Sequence, residues 1–264
     1  MRYLLSAIVC LSLVGFTTAQ TTGSTTSQQH AATEKNAQAK TIYLDARGKL
    51  GWQQPATAVF DEYVSDPAKP VPFLPRPIHL EGEEGYHDWQ TWLVRDQREA
   101  SGRTDVLNYT SDVLTAPLKI SGIPTVNLTA STTGTDGDFV VKLIDVYPEE
   151  TGRDPKMGGY QLMISGDIFR GRYYQGFDNP KPVPANEKVR FRFDLPTANH
   201  VFLPGHRLMI QVQSSWFPLY DRNPQTYVDN IFLAKPTDYK KATIKVFNSG
   251  ESDSFVELPV VTHQ

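Results

Sequence analysis

Apolar side chains recur at every second position through much of this chain. Val189, Phe191, Phe193 and Leu195 alternate with Arg190, Arg192 and Asp194. Leu208, Ile210 and Val212 alternate with Met209, Gln211 and Gln213, and Val126, Leu128 and Ala130 with Thr125, Asn127 and Thr129. A period of two sets one row of side chains on a core and the other in solvent, which is the pattern of half-buried β-strands. Phe139 to Val146 is apolar on both faces except at Lys142 and Asp145, which predicts a central strand covered on two sides. The predicted core therefore includes Phe139, Val141, Leu143, Phe191, Phe193, Leu208, Ile210 and Val212. Turn-forming clusters separate the runs, among them Ser121-Gly122-Ile123-Pro124, Thr133 to Gly137, Asn179 to Pro182 and Leu203-Pro204-Gly205. Thr243–Phe247 and Phe255–Val261, joined by a long polar loop, read as a hairpin. With no sustained helical stripe anywhere, the pattern predicts an all-β, two-sheet sandwich.

The N-terminal segments follow other rules. Arg2 precedes a nearly unbroken apolar run from Leu4 to Phe16, and small residues follow at Thr17-Thr18-Ala19. This predicts a secretory signal peptide over residues 1–19, too short to span about 30 Å of hydrocarbon, hence no stable membrane insertion after cleavage. From Gln20 to Lys40 the chain is Thr, Ser, Gln, Ala and Asn with almost no large apolar residue, the composition of a disordered linker. Structure is expected from Thr41 to Gln264, and the destination is periplasmic or secreted. The single cysteine, Cys10, falls inside the signal peptide, so the exported chain has no thiol chemistry or disulfide. A formal charge of −3 and the lack of a basic run give no reason to expect a nucleic-acid partner.

Residue patterns that carry catalytic chemistry are sparse. No serine stands in G-x-S-x-G, since Ser121, Ser165 and Ser249 each have a glycine on one side only, and no HGGG-type loop supplies an oxyanion hole. No phosphate loop or H-E-x-x-H is present either. His200 and His206 flank a turn, with no carboxylate placed beside them by the spacing, and read as turn histidines without a metal. Asp136 and Asp138 around Gly137 lack the spaced ligand series of a calcium loop and read as a tight turn. No catalytic, cofactor or metal residue is assigned. Phe73, Tyr86, His87, Trp89 and Trp92 stand apart, aromatic residues in and around an acidic, irregular stretch. Such rings either line a ligand or docking surface or serve as packing.

Four ordered blocks carry a family resemblance: Thr104 to Glu150, Gly166 to Tyr174, His200 to Thr226, and the closing Ala-Thr-Ile-Lys-Val-Phe-Asn-Ser from Ala242. Together they resemble the C-terminal domain of Xaa-Pro dipeptidyl-peptidases and of the related cocaine-esterase-like hydrolases, glutaryl-7-aminocephalosporanic-acid acylases and α-amino-acid ester hydrolases. Glu62 to Ile78 looks closest to the acylase and ester-hydrolase branch. The resemblance implies a jelly-roll sandwich of the galactose-binding-like type that follows an α/β-hydrolase domain and closes one side of its cleft. It also implies that the Ser-Asp-His triad belongs to that hydrolase domain; none of the triad has a counterpart among these residues. The expectation is an isolated C-terminal domain of a family that hydrolyses X-Pro peptides, acyl amides or amino-acid esters, inactive alone. Three roles stay open: a truncated family fragment, an accessory subunit for a separately encoded hydrolase domain, or a carbohydrate-binding module. The resemblance makes an α/β-hydrolase domain or a second copy the expected partner.

Overall fold

The computed structural model describes residues 34–262 except 35, 58, 80–90, 153 and 249–252. The expected signal peptide, and the linker up to residue 33, lie outside the described residues. Among the described residues thirteen strands form the fold: β1 (Ala37–Asp45), β2 (Lys49–Gly51), β3 (Phe60–Ser65), β4 (Val106–Thr110), β5 (Leu118–Gly122), β6 (Thr125–Thr132) and β7 (Asp138–Val146), then β8 (Gln161–Arg170), β9 (Val189–Asp194), β10 (Ala198–Phe202), β11 (Arg207–Gln213), β12 (Ala242–Phe247) and β13 (Phe255–Val261). β1 starts four residues ahead of Thr41, because Ala37 to Lys40 pair with Val261 to Leu258.

The strands make an all-β sandwich, as the alternation predicts. One layer runs β4–β11–β7–β8, antiparallel throughout. Its inward row of Phe139, Val141, Leu143, Leu208, Ile210 and Val212 is fully buried and packs with Val126, Leu128, Phe191, Val256 and Leu258 from the facing strands. Phe193 is only half-buried, and its ring stacks on Phe169 at 5.2 Å.

Two expectations are corrected. β12 and β13 do not form a hairpin. β9 takes one edge of β6 along Thr125 to Ala130, and the other edge is shared in series, by β13 at Thr125 to Asn127 and by β12 at Ala130 to Thr132. Both are antiparallel to β6, so they run the same way, and the polar segment between them carries the chain from one half of that edge to the other. Nor does the polar row of β11 face solvent. Met209, Gln211 and Gln213 are buried. The outer face of β7, β8 and β11 carries a second small core of Val140, Met163 and Trp216, with Phe73 and Trp92 packed against it. Central β7 is thus covered on both sides.

A tight approach fixes the chain just after the C-terminal end of β8. A Cβ on Gly171 would lie 2.6 Å from the Gly137 carbonyl oxygen and 3.2 Å from Val183 Cγ2, while the Gly171 N–H donates to that same carbonyl at 2.7 Å. Gly171→Ala should therefore cost about 1–3 kcal/mol through overpacking, read as a lowered urea midpoint at unchanged slope. An unchanged midpoint would show that the turn can shift freely.

Candidate functional site

The aromatic residues singled out from sequence divide. Tyr86, His87 and Trp89 lie outside the described residues. Phe73 and Trp92 are brought together edge-on, ring centroids 6.2 Å apart, and Trp92 meets Trp216 edge-on at 5.4 Å. Trp216 in turn stacks on Tyr220 at 6.2 Å. Phe73 is placed by a ladder-like contact, its N–H donating to the Phe217 carbonyl at 2.9 Å, and Trp92 opens the short turn Trp92–Val94. Phe73 and Trp92 are half-buried and Trp216 is buried. Sequence reasoning missed Trp216 because it sits 124 positions from Trp92. Buried Trp216 Nε1 finds no acceptor among the described residues.

Beneath these rings lies Lys142. It is 1% exposed, and its Nζ donates to the side-chain carbonyls of Gln97 (2.8 Å), Gln211 (3.1 Å) and Gln213 (3.3 Å). The Trp216 ring covers it at 4.8 Å. Burial pushes the ammonium down to about 7.

Two further polar clusters are structural in character. Asp136 accepts from Arg172 Nε and Nη2 at 2.9 and 2.5 Å, and Asp138 from Arg170 at 2.9 Å and Asn223 at 2.8 Å. The turn carboxylates are thus engaged by arginines, and burial still pushes Asp138 up to about 7 against the pull of Arg170. Asp145 supplies the carboxylate that spacing could not place beside the histidines. Its two oxygens meet His200 Nε2 and His206 Nδ1, each at 2.8 Å. The one available signal was Asp145 itself, a charge inside an otherwise apolar strand. Among the described residues no serine hydroxyl bonds to either imidazole. Ser165 donates to the Pro196 carbonyl at 2.6 Å, and Ser121 accepts from the Glu34 N–H at 3.4 Å. A cleft of about 620 Å³ lies between Asp66, Arg222, Tyr239 and Lys241, but its charges are spent locally, Lys241 on Asp66 and Arg222 on the Pro67 carbonyl.

Among the described residues the site thus gathers aromatic rings over a buried lysine. Residues 15–257 match the family described as the X-Pro dipeptidyl-peptidase C-terminal non-catalytic domain. The chain belongs to this family. A cocaine esterase of Rhodococcus sp. (strain MB1 Bresler) is 34% identical over 214 residues, which make up 81% of this chain and 34% of the esterase. A solved α-amino acid ester hydrolase superposes with a TM-score of 0.81 at 59% identity, covering 84% of this chain and 36% of that one. An aminopeptidase from the marine sediment archaeon Thaumarchaeota archaeon gives a TM-score of 0.83 at 49% identity, covering 86% and 37%. The chain spans about a third of the length of these relatives. Among the described residues, no helix is long and apolar enough to cross a membrane.

Proposed function

We propose that the chain serves as the non-catalytic sandwich of an exported serine acyl-hydrolase, seating an α/β-hydrolase catalytic domain on the face that carries Phe73, Trp92 and Trp216. The observation behind this reading is the 59% identity to an α-amino acid ester hydrolase across 84% of the chain. That identity favours amino-acid esters as the substrate class over X-Pro peptides. Export is supported by Arg2 and the apolar run Leu4 to Phe16. Half-buried rings suit an interface, since they bring large apolar area with little side-chain entropy to lose.

On this reading the chain alone neither turns over p-nitrophenyl esters nor takes up a fluorophosphonate probe, because nothing among its described residues activates a serine or stabilises an oxyanion. Stoichiometric labelling of one serine would overturn the non-catalytic role. Mixed with the α/β-hydrolase domain of an α-amino-acid ester hydrolase expressed without its own sandwich, the chain should co-elute on size exclusion. Trp92→Ser should weaken that complex while costing about 1–2 kcal/mol of stability, less than the loss of a fully packed indole. Failure to co-elute at tens of micromolar would overturn the docking, and a complex indifferent to Trp92→Ser would move it to another face.

A further inference from the structure

Lys142 is a buried cation that meets no carboxylate among the described residues. Its three donors meet three glutamine carbonyls, and the other end of each glutamine is committed. Gln97 Nε2 donates to the Arg95 carbonyl at 2.9 Å, Gln211 Nε2 to Ser101 Oγ and Asn108 Oδ1 at 3.1 Å each, and Gln213 Nε2 to the Ser215 carbonyl at 2.7 Å. The network thus fixes which ends of the amides face the lysine. Gln211 and Gln213 belong to β11, and Gly166 of β8 pairs with Lys142 from the other side. Gln97 alone comes from outside the sheet, from the segment Trp92–Ser101 that lies over it. Among the described residues, Gln97 of that segment and the Trp216 ring both lie against the ammonium.

We propose that Trp92–Ser101 is a proton-loosened cover: taking up a proton on Lys142 favours its lifting from the outer face of β7, and losing that proton seats it. The chemistry follows from the geometry. Glutamine carbonyls and an indole face solvate an ammonium less well than water does, so the closed state taxes the charged form and the open state does not. Unpaired Trp216 Nε1 is a second polar group that gains a partner on opening. Among the described residues, burial is what drives the fall of the lysine to about 7. On the covering segment Asp96 pairs with Arg98 at 2.6 Å, and Arg95 and Glu99 flank the glutamine that faces inward. On β8 Asp167 takes the Ile168 N–H at 2.7 Å and the Tyr220 hydroxyl at 3.4 Å, while on β11 Gln211 and Gln213 face the lysine with no charge between them.

The sign follows from linkage. The closed-state value is depressed to about 7 and a hydrated lysine titrates near 10.4, so between these limits opening takes up a proton and is promoted as pH falls. Below about 7 both states carry the charge and the dependence levels off.

Hydrogen exchange on the full chain, corrected for intrinsic base catalysis, reads this directly at the amides of Gln97, which donates to the Gln161 carbonyl at 3.0 Å, and Ser101, which donates to the Gln97 carbonyl at 2.9 Å. Their protection should fall by roughly tenfold or more from pH 9 to pH 7 and level off below. Amides of the β7 core should keep higher protection. In Lys142→Met the slope should vanish. Should that variant fail to fold, Gln97→Ala, which removes one carbonyl from the ammonium, should move the levelling-off point to lower pH. Flat protection between pH 9 and 7 overturns the proposal, as does a slope that survives Lys142→Met. Equal protection and equal slope in the β7 core would also overturn it, because that is global unfolding.

Discussion

Arg172→Met should lower stability by about 3–5 kcal/mol, a fall in thermal midpoint of roughly 10 °C for a domain of this size. Asp136 is fully buried, and one of its oxygens takes both the Nε and the Nη2 protons of Arg172. Its other oxygen takes the Gly137 N–H at 2.8 Å. Without the guanidinium, a carboxylate is left in a site that water does not reach, and that desolvation exceeds anything the pair itself contributes. Arg172→Lys should rescue little, because a single ammonium cannot supply the fork or lie over the Tyr227 ring, now 4.8 Å away. Adding Asp136→Asn to Arg172→Met should recover part of the loss, since the amide keeps the Gly137 contact and carries no charge. Urea melts of the three variants test this. A single variant within about 0.5 kcal/mol of wild type would place the pair in solvent.

Phe139→Ala should cost about as much, 3–5 kcal/mol, for a different reason. Phe139 is fully buried in the first residues of β7, its ring 4.3 Å from that of Phe191, which reaches Phe169 at 6.2 Å. The rings join β7 and β8 of one layer to β9 of the other, so truncation leaves a cavity that no strand can collapse into without losing its ladder. Equilibrium unfolding of Phe139→Leu, which restores most of the volume, should recover more than half of the loss. A loss below about 1 kcal/mol for the alanine variant would mean the sheets close up around the gap.

What could be read from sequence, and what could not, follows from the range of each interaction. Alternation along a strand is local, so the sandwich and its core row from Phe139 to Val212 were legible. The outer face was not. Gln211 and Gln213 look like solvent residues until the segment around Gln97, more than a hundred positions away, is laid over them. The paired runs at the C-terminal end suggested a hairpin because a loop between two strands is locally the same object whether the chain reverses or steps along one edge of β6. Asp145 reaches His200 and His206 across 55 and 61 positions, beyond any spacing rule. Of the candidate site, Phe73 and Trp92 were legible as unexplained aromatics, while Trp216 and Lys142 emerged only with the tertiary contacts.

The position of β13 bears on how the domain is made. It follows every other strand in chain order, yet it sits within the sandwich, with β1 along one edge and β6 and β5 along the other. A chain emerging from the ribosome can pair the strands of the layer β4–β11–β7–β8 first, but β1 waits for β13 before its own edge is covered. Non-local pairing of this kind makes folding slow, and it leaves strand edges open during synthesis. Nascent chains arrested anywhere before Phe255 should be protease-sensitive, with resistance arriving in one step once Val261 has cleared the exit tunnel.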